Sequence, residues 1–287
     1  MTGLVAMQPV EFLDVARLRA VDWLREVEHH GELASTNDRA IARLRHGDLV
    51  APALIVTDAQ TAGRGRGSNR WWSSGGGLTF TLVVSADGDG APGGHRLEPR
   101  SWPRLALSAA TAVAAVLETR VPRHSFGVRW PNDVFTEDRK ISGILVEAPV
   151  ISAPNGTDPP STGPAAKHLV IGIGLNVNNS VAQAPEDVRA RATSMLDLTG
   201  APHDLTGVLI DLIEQVHGRL GRLACDDETL SAEWQALCLL RGRTVTLDTG
   251  RRQIRGTCLG IQPDGGLAID AAGQTERYYG GVLSEVV

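Results

Sequence analysis

The stretch Gln60-Thr61-Ala62-Gly63-Arg64-Gly65-Arg66-Gly67-Ser68-Asn69-Arg70-Trp71-Trp72 alternates glycine with arginine and ends in two tryptophans. Glycine lets a backbone take positive φ and approach a ligand, so that successive N–H groups converge on one cluster of oxygens. Arg64, Arg66 and Arg70 add fixed charge and forked donors. The loop is thus suited to an anion. Spacing excludes two familiar phosphate loops: Ser68 stands where a dinucleotide fingerprint needs its third glycine, and no Gly-Lys-Ser/Thr follows. By itself the stretch also fits a surface turn of solvated arginines or an RNA-binding patch of the RGG kind.

Other polar groups sit at the ends of predicted elements. Ser35-Thr36-Asn37-Asp38 opens a helix over 38–45, either as an ordinary capping box or as a helix N-terminus offered to a ligand's acceptors. Pro131-Asn132-Asp133 interrupts a strand over 127–135; because proline cannot donate to a ladder, it favours a bend that aims Asn132 and Asp133 out of the sheet. Asp133 there could serve a metal or a ribose, or be plain turn chemistry. Lys140 begins the second arm of a hairpin, Lys140-Ile141-Ser142-Gly143-Ile144-Leu145-Val146-Glu147. In 168–178, period two puts Gly172, Gly174, Asn176 and Asn178 on one face and Ile171, Ile173, Leu175 and Val177 on the other. Glycine weakens a strand interior, so its repetition predicts that something lies against the backbone there.

The elements that must position these groups follow from hydrophobic period. After a leader over 1–10, a helix is predicted over 10–24, a strand over 26–33, and strands over 54–57 and 78–85 that carry the arginine loop between them. A buried helix capped by Ser101 spans 103–120. Residues 148–167 read as a mobile Pro/Ser/Thr/Gly-rich excursion. Helices follow over 205–223 and 228–240, and from Arg241 the texture changes to short strands over 244–247, 253–261 and 267–269 with turns between them. That pattern predicts a small all-β barrel.

Composition bounds the function. At 287 residues and 42% hydrophobic content the chain can bury a large core and a small one. A net charge of −5 argues against a protein that coats nucleic acid; the positive charge is focused, as for a small anionic ligand. The three cysteines have neither disulfide nor zinc spacing. A reduced, cytoplasmic setting is expected, with no membrane span.

An anion loop, a lysine at a strand start, a glycine floor and an acidic turn suggest a carboxylate brought to a nucleotide phosphate. Two such anions about 4 Å apart repel by roughly 4 kcal/mol at a protein-like dielectric, so several cations must attend them. Arg64, Arg66 and Lys140 could do so.

The ordered motifs QTAGRGR…W, RWPNDV…DRKISGILVE and GIGLNVN, followed by a small β domain, resemble the biotin protein ligase (holocarboxylase synthetase) family from Ser35 to the C-terminus. The resemblance implies an α+β fold: a mixed-sheet catalytic domain like the class II synthetases over 1–240, and an SH3-like β-barrel over 241–287. It implies that biotin and ATP, with Mg2+, give biotinyl-AMP, and that the biotinyl group passes to a lysine of a biotin carboxyl carrier protein domain. Ser35, Thr36, Asn37, Gln60, Arg64, Gly65, Arg66, Lys140, Gly143, Leu145, Gly172 and Gly174 would hold biotin. Arg66, Trp71, Asn132, Asn176 and Lys140 would face the nucleotide, Asp133 a magnesium ion, and Lys140, Arg64 and Arg66 would carry the chemistry. Two features depart from simple expectation. Ser68-Asn69 replaces the Gly-Arg of many bacterial members, and strict alternation puts Lys140 and Gly143 on opposite faces, so a bend or bulge must intervene if both touch ligand. Since 1–34 offers one helix, too little for a helix-turn-helix, an enzyme alone is expected, with no nucleic-acid partner, as monomer or weak dimer. The alternatives are a lipoate or octanoate ligase, which lacks the paired GRGR and KISGILVE pattern, and a biotin-sensing module that turns over no ATP.

Overall fold

Alternation along the strands decides which face of the main sheet becomes core and which becomes site. A computed structural model describes residues 13–87, 94–151 and 168–286, so the expected leader over 1–10 and most of the excursion over 148–167 lie outside the described residues. Seven strands form the main sheet: β1 (Glu26–Leu33), β2 (Ala53–Gln60), β3 (Leu78–Ser85), β4 (Gly127–Arg129), β5 (Asp133–Thr136), β6 (Arg139–Glu147) and β7 (His168–Leu175), in the order β1-β2-β3-β7-β6-β5-β4. β1 and β2 are parallel and every other pair is antiparallel.

One face carries Leu54, Val56, Phe80, Leu82, Ile171, Ile173 and Leu175 into the principal core. That core also contains α3 (Leu105–Arg120), which is apolar around its whole circumference as expected of a helix buried on all sides, and the amphipathic α6 (Leu205–Ala224). On the opposite face Ala53, Ile55, Val83 and Val170 pack against Ala40 and Leu44 of α2 (Thr36–His46). α2 starts two residues before the expected helix over 38–45, with Ser35 as its cap, the hydroxyl accepting from the Asp38 N–H at 3.3 Å, and it ends on Gly47 at φ 72°. Because α2 covers only one end of this face, the rest stays open as a cleft.

Some elements differ from expectation. The first helix is short, α1 (Val15–Arg19), and a turn intervenes before β1. Ser101 does not cap α3: a 3₁₀ turn over Pro99–Arg104 precedes it, and the buried Ser101 hydroxyl accepts from Arg104 Nη2 at 2.9 Å. Two short helices, α4 (Glu186–Arg189) and α5 (Met195–Thr199), lie between β7 and α6. The last helix, α7 (Thr229–Ala236), stops before Leu237, whose carbonyl instead accepts from the Val128 N–H of β4 at 2.7 Å. Among the described residues no helix is long and apolar enough to cross a membrane.

The expected small β domain is an antiparallel sheet of five strands: β8 (Thr244–Asp248), β9 (Gln253–Ile261), β10 (Leu267–Ala271), β11 (Gln274–Tyr278) and β12 (Val282–Val286), in the order β11-β10-β9-β8-β12. Among the described residues its outer strands, β11 and β12, do not pair with each other, so it is an open sheet where a closed barrel was expected. Two buried tryptophans key it to the larger layer. Trp130 donates to the Gly265 carbonyl at 3.0 Å and Trp234 to that of Gln262 at 3.1 Å, which satisfies both indoles.

Candidate active site

The pairing register lines up polar and glycine positions across neighbouring strands. Thr57 faces Thr79, Thr79 faces Gly174, Gly174 faces Gly143, and Gly143 faces Asp133. A second row runs through Thr81, Gly172 and Leu145. These rows floor a cleft of about 1000 Å³, and every residue singled out in the sequence for biotin, nucleotide or metal lines it.

Lys140 reaches the floor through an irregularity. In the β5–β6 ladder Val134 pairs with Ser142 but Phe135 pairs with Lys140, which leaves Ile141 as an extra residue. This bulge puts Lys140 on the same face as Gly143. The Lys140 ammonium lies 2.7 Å from Asp133 Oδ1, off the hydrogen-bonding direction, so the contact is an ion pair rather than an aligned hydrogen bond. A Cβ on Gly143 would sit 2.9 Å from that ammonium. The Lys140 backbone is pinned as well, its N–H to the Arg191 carbonyl at 2.8 Å and its carbonyl to the Thr193 N–H at 3.0 Å.

What lies against the glycine floor is the protein's own side chains. A Cβ on Gly172 would stand 2.2 Å from Asn37 Oδ1, and one on Gly174 would stand 2.2 Å from the Trp71 ring. Asn37 is held there on both ends of its amide: Oδ1 accepts from the Thr81 hydroxyl at 2.6 Å, while Nδ2 donates to Glu147 Oε2 at 2.8 Å and to the Leu145 carbonyl at 3.3 Å. Thr36 is fixed in parallel, its N–H donating to Gln60 Oε1 at 2.7 Å and its hydroxyl accepting from Thr81 at 2.8 Å. Trp71 is also 5.8 Å, ring centroid to nitrogen, from the Lys140 ammonium, within cation–π range.

The two arginines of the Gly-Arg-Gly-Arg run have different environments. Arg64 grips Glu147 with both terminal nitrogens, at 3.1 and 2.6 Å, and Asp38 at 2.8 Å. Burial pulls its pKa down, but the two carboxylates outweigh this and the net shift is upward. Its charge is therefore already compensated. Arg66 is half-buried and, among the described residues, has no carboxylate within ion-pair reach; burial lowers its pKa and the charge of Asp133 opposes that only in part. A desolvated guanidinium without a counter-ion is the group that gains most from an incoming anion.

Asn132 and Asn176 are spent on the scaffold. Asn132 Nδ2 donates to the Ile144 carbonyl at 2.6 Å, and Asn176 Nδ2 donates to that of Thr193 at 3.0 Å while its Oδ1 accepts from Asn179 at 2.9 Å. Ser35 is likewise occupied by its cap. Among the described residues no three His, Cys, Asp or Glu side chains gather as a metal cage, and all three cysteines are free. A cation entering with nucleotide phosphates would find the carboxylate of Asp133 on the floor beside Lys140, with Asp138 and Asp187 also lining the cleft.

Sequence reasoning missed several lining groups. Thr79 lines the cleft, and it alternates with apolar residues in β3, a signal that was present, as does the buried Thr81 that orients Thr36 and Asn37. Arg129, stacked 5.2 Å from the Phe135 ring centroid, and Gly281–Ser284 beside β12 reach the cleft only through the tertiary fold. Glu147 stood inside the quoted KISGILVE motif without an assigned role.

Residues 32–153 match the model of the Biotin/lipoate A/B protein ligase family. A biotin–[acetyl-CoA-carboxylase] ligase of Mycobacterium tuberculosis is 29% identical over 254 residues, covering 88% of this chain and 85% of that protein. The bifunctional ligase/repressor BirA of Escherichia coli is 29% identical over 255 residues, 87% of this chain and 71% of that protein. Among solved structures, a biotin protein ligase from Aquifex aeolicus in complex with biotin and ATP superposes with a TM-score of 0.72 at 25% identity, covering 91% of this chain and 98% of that one.

Proposed function

Given that the chain belongs to the biotin protein ligase family, we propose that it joins biotin to ATP as biotinyl-AMP and then passes the biotinyl group to a lysine of a biotin carboxyl carrier protein domain. The observation that carries the reading is the bulge at Ile141, which sets the Lys140 ammonium beside Gly143 and Asp133 on the floor of a cleft that the arginine loop also lines. In the first step a biotin carboxylate oxygen attacks the α-phosphorus, a P–O bond forms, and pyrophosphate leaves with the electrons of the α–β bridge. In the second the carrier amine attacks the anhydride carbonyl, AMP departs, and the amine loses its proton. Lys140 stands where the two anions meet, and Arg66 offers the uncompensated charge that draws the phosphate in. Asp133 would offer a protein oxygen to a magnesium ion carried in with ATP, which would neutralise phosphate charge there. Asn37, Thr36 and Gln60 present the polar end of the cleft to biotin's ureido ring. Asn132 and Asn176 act through the strands they brace.

The decisive assay is incubation with ATP, magnesium and a biotin carrier domain, with biotin or lipoate in parallel, followed by mass measurement of the carrier. A biotin-dependent gain supports the reading; a gain with lipoate alone, or none, overturns it. Arg66→Ala should release biotinyl-AMP about tenfold faster than wild type while leaving the thermal unfolding midpoint nearly unchanged, because the loop is largely exposed and one charge-assisted contact is lost. Amide hydrogen exchange is the companion measurement: residues 63–70 should gain protection when biotin and ATP are added, and no gain removes loop closure from the account.

A further inference from the structure

We propose that Glu147 is a positioning residue whose carboxylate, through Arg64, holds residues 63–72 closed over the bound acyl-adenylate. The proposal rests on the ligase reading above. Within the loop the backbone bonds run inward: Gly65 N–H to the Asn69 carbonyl, Asn69 N–H to that of Arg66, and Trp71 N–H to that of Gly63. Among the described residues, the hydrogen bonds and ion pairs that tie residues 63–72 to the rest of the molecule are those of the Arg64 guanidinium, to Glu147 and Asp38. Beside the packing of Trp71 on Gly174 and its cation–π contact with Lys140, Arg64 is thus the hydrogen-bonded and ion-paired tether of the flap.

Glu147 suits that task better than an ordinary surface partner does. Isolated surface ion pairs contribute little, but this one is forked: both carboxylate oxygens receive Arg64 nitrogens and Oε2 also accepts from Asn37. The same carboxylate thus sets the flap and the side chain that fills the floor at Gly172. Asp38 is the more exposed partner, 54% against 26% for Glu147, so its share is the smaller. A flap so anchored retains the adenylate by slowing its own opening, which is a gating role.

Glu147→Gln separates the two contacts, since the amide oxygen still accepts from Asn37 while the charge facing Arg64 is gone. With biotinyl-AMP preformed on the enzyme and chased by excess unlabelled biotin, release should be about tenfold faster than wild type. Raising salt should speed release from wild type and leave the variant unaffected. The double variant should match Arg64→Gln, because once Arg64 is gone Glu147 has nothing left to hold, and both should exceed Glu147→Gln only by the small share of the exposed Asp38 pair. Wild-type release from Glu147→Gln, or additive effects in the double variant, overturns the proposal. Biotin-dependent pyrophosphate exchange by wild type is the control: its absence sinks the ligase reading, whereas normal exchange with an unaltered variant sinks only the flap anchor.

Discussion

Lys140→Ala is expected to slow biotinyl-adenylate formation by roughly two to four orders of magnitude, the range seen when one preorganised electrostatic contact is removed from a developing charge. The ammonium lies in the cleft 2.7 Å from Asp133, and both backbone groups of Lys140 are bonded to the 191–193 segment, so its position is fixed before any ligand arrives. Interactions held in place this way act on the transition state without reorganisation at the moment of reaction. Truncation would leave Asp133 without its cation beside two incoming anions, which adds repulsion to the lost attraction. Lys140→Arg should rescue poorly, because a planar fork does not fit where a compact charge occupies the space beside Gly143, 2.9 Å from where a Cβ would stand. Carrier transfer from presynthesised biotinyl-AMP should suffer far less, since the anhydride is already made. Pyrophosphate exchange measured beside single-turnover transfer tests this; near-normal exchange in Lys140→Ala would remove the residue from the mechanism.

Gly172→Ala should raise the KM for biotin by about a hundredfold with a smaller change in kcat. The added Cβ would meet Asn37 Oδ1 at 2.2 Å, and Asn37 has no free direction, being buried and bonded to Thr81, Glu147 and the Leu145 carbonyl. Displacing it breaks two or more bonds of about 1–2 kcal/mol each, and every 1.4 kcal/mol is about tenfold in affinity. Gly143→Ala is the contrast, because its Cβ meets the Lys140 ammonium itself at 2.9 Å and should slow adenylation more than it weakens biotin. Adding Asn37→Ser to Gly172→Ala makes room again and should recover part of the stability the clash removes, though not the biotin contact. An unchanged KM in Gly172→Ala would show that Asn37 does not read biotin.

The main sheet was legible because its strands alternate so regularly that Leu78–Ser85 was placed to the residue. β11 and β12 were not, since Gln274–Tyr278 is largely polar and Val282–Val286 is short, which leaves little periodicity to read. The glycine repeat correctly announced a close approach, but naming Asn37 and Trp71 as the approaching groups required the register between β7 and its neighbours. Local reasoning could not rank Arg64 against Arg66 either. They differ through Asp38 and Glu147, and Glu147 is 83 residues away in the chain. The start of α3 was misread because Pro99 opens a 3₁₀ turn that takes up Ser101 before it can cap.

The extra residue at Ile141 makes this hairpin sensitive to parity. On the far side of β6, Ile144 and Val146 look into apolar core, and the ammonium of Lys140, three positions from Gly143, escapes that side only because Ile141 bulges out of the count. Deleting Ile141 would leave Lys140 two positions from Gly143 and on the cleft face by plain alternation, whereas flattening the bulge with every residue kept would turn the lysine into the hydrophobic layer, where an unpaired charge costs several kcal/mol. Transplanting this segment between relatives therefore succeeds or fails on whether the bulge travels with its extra residue, whatever the percentage identity of the pieces joined.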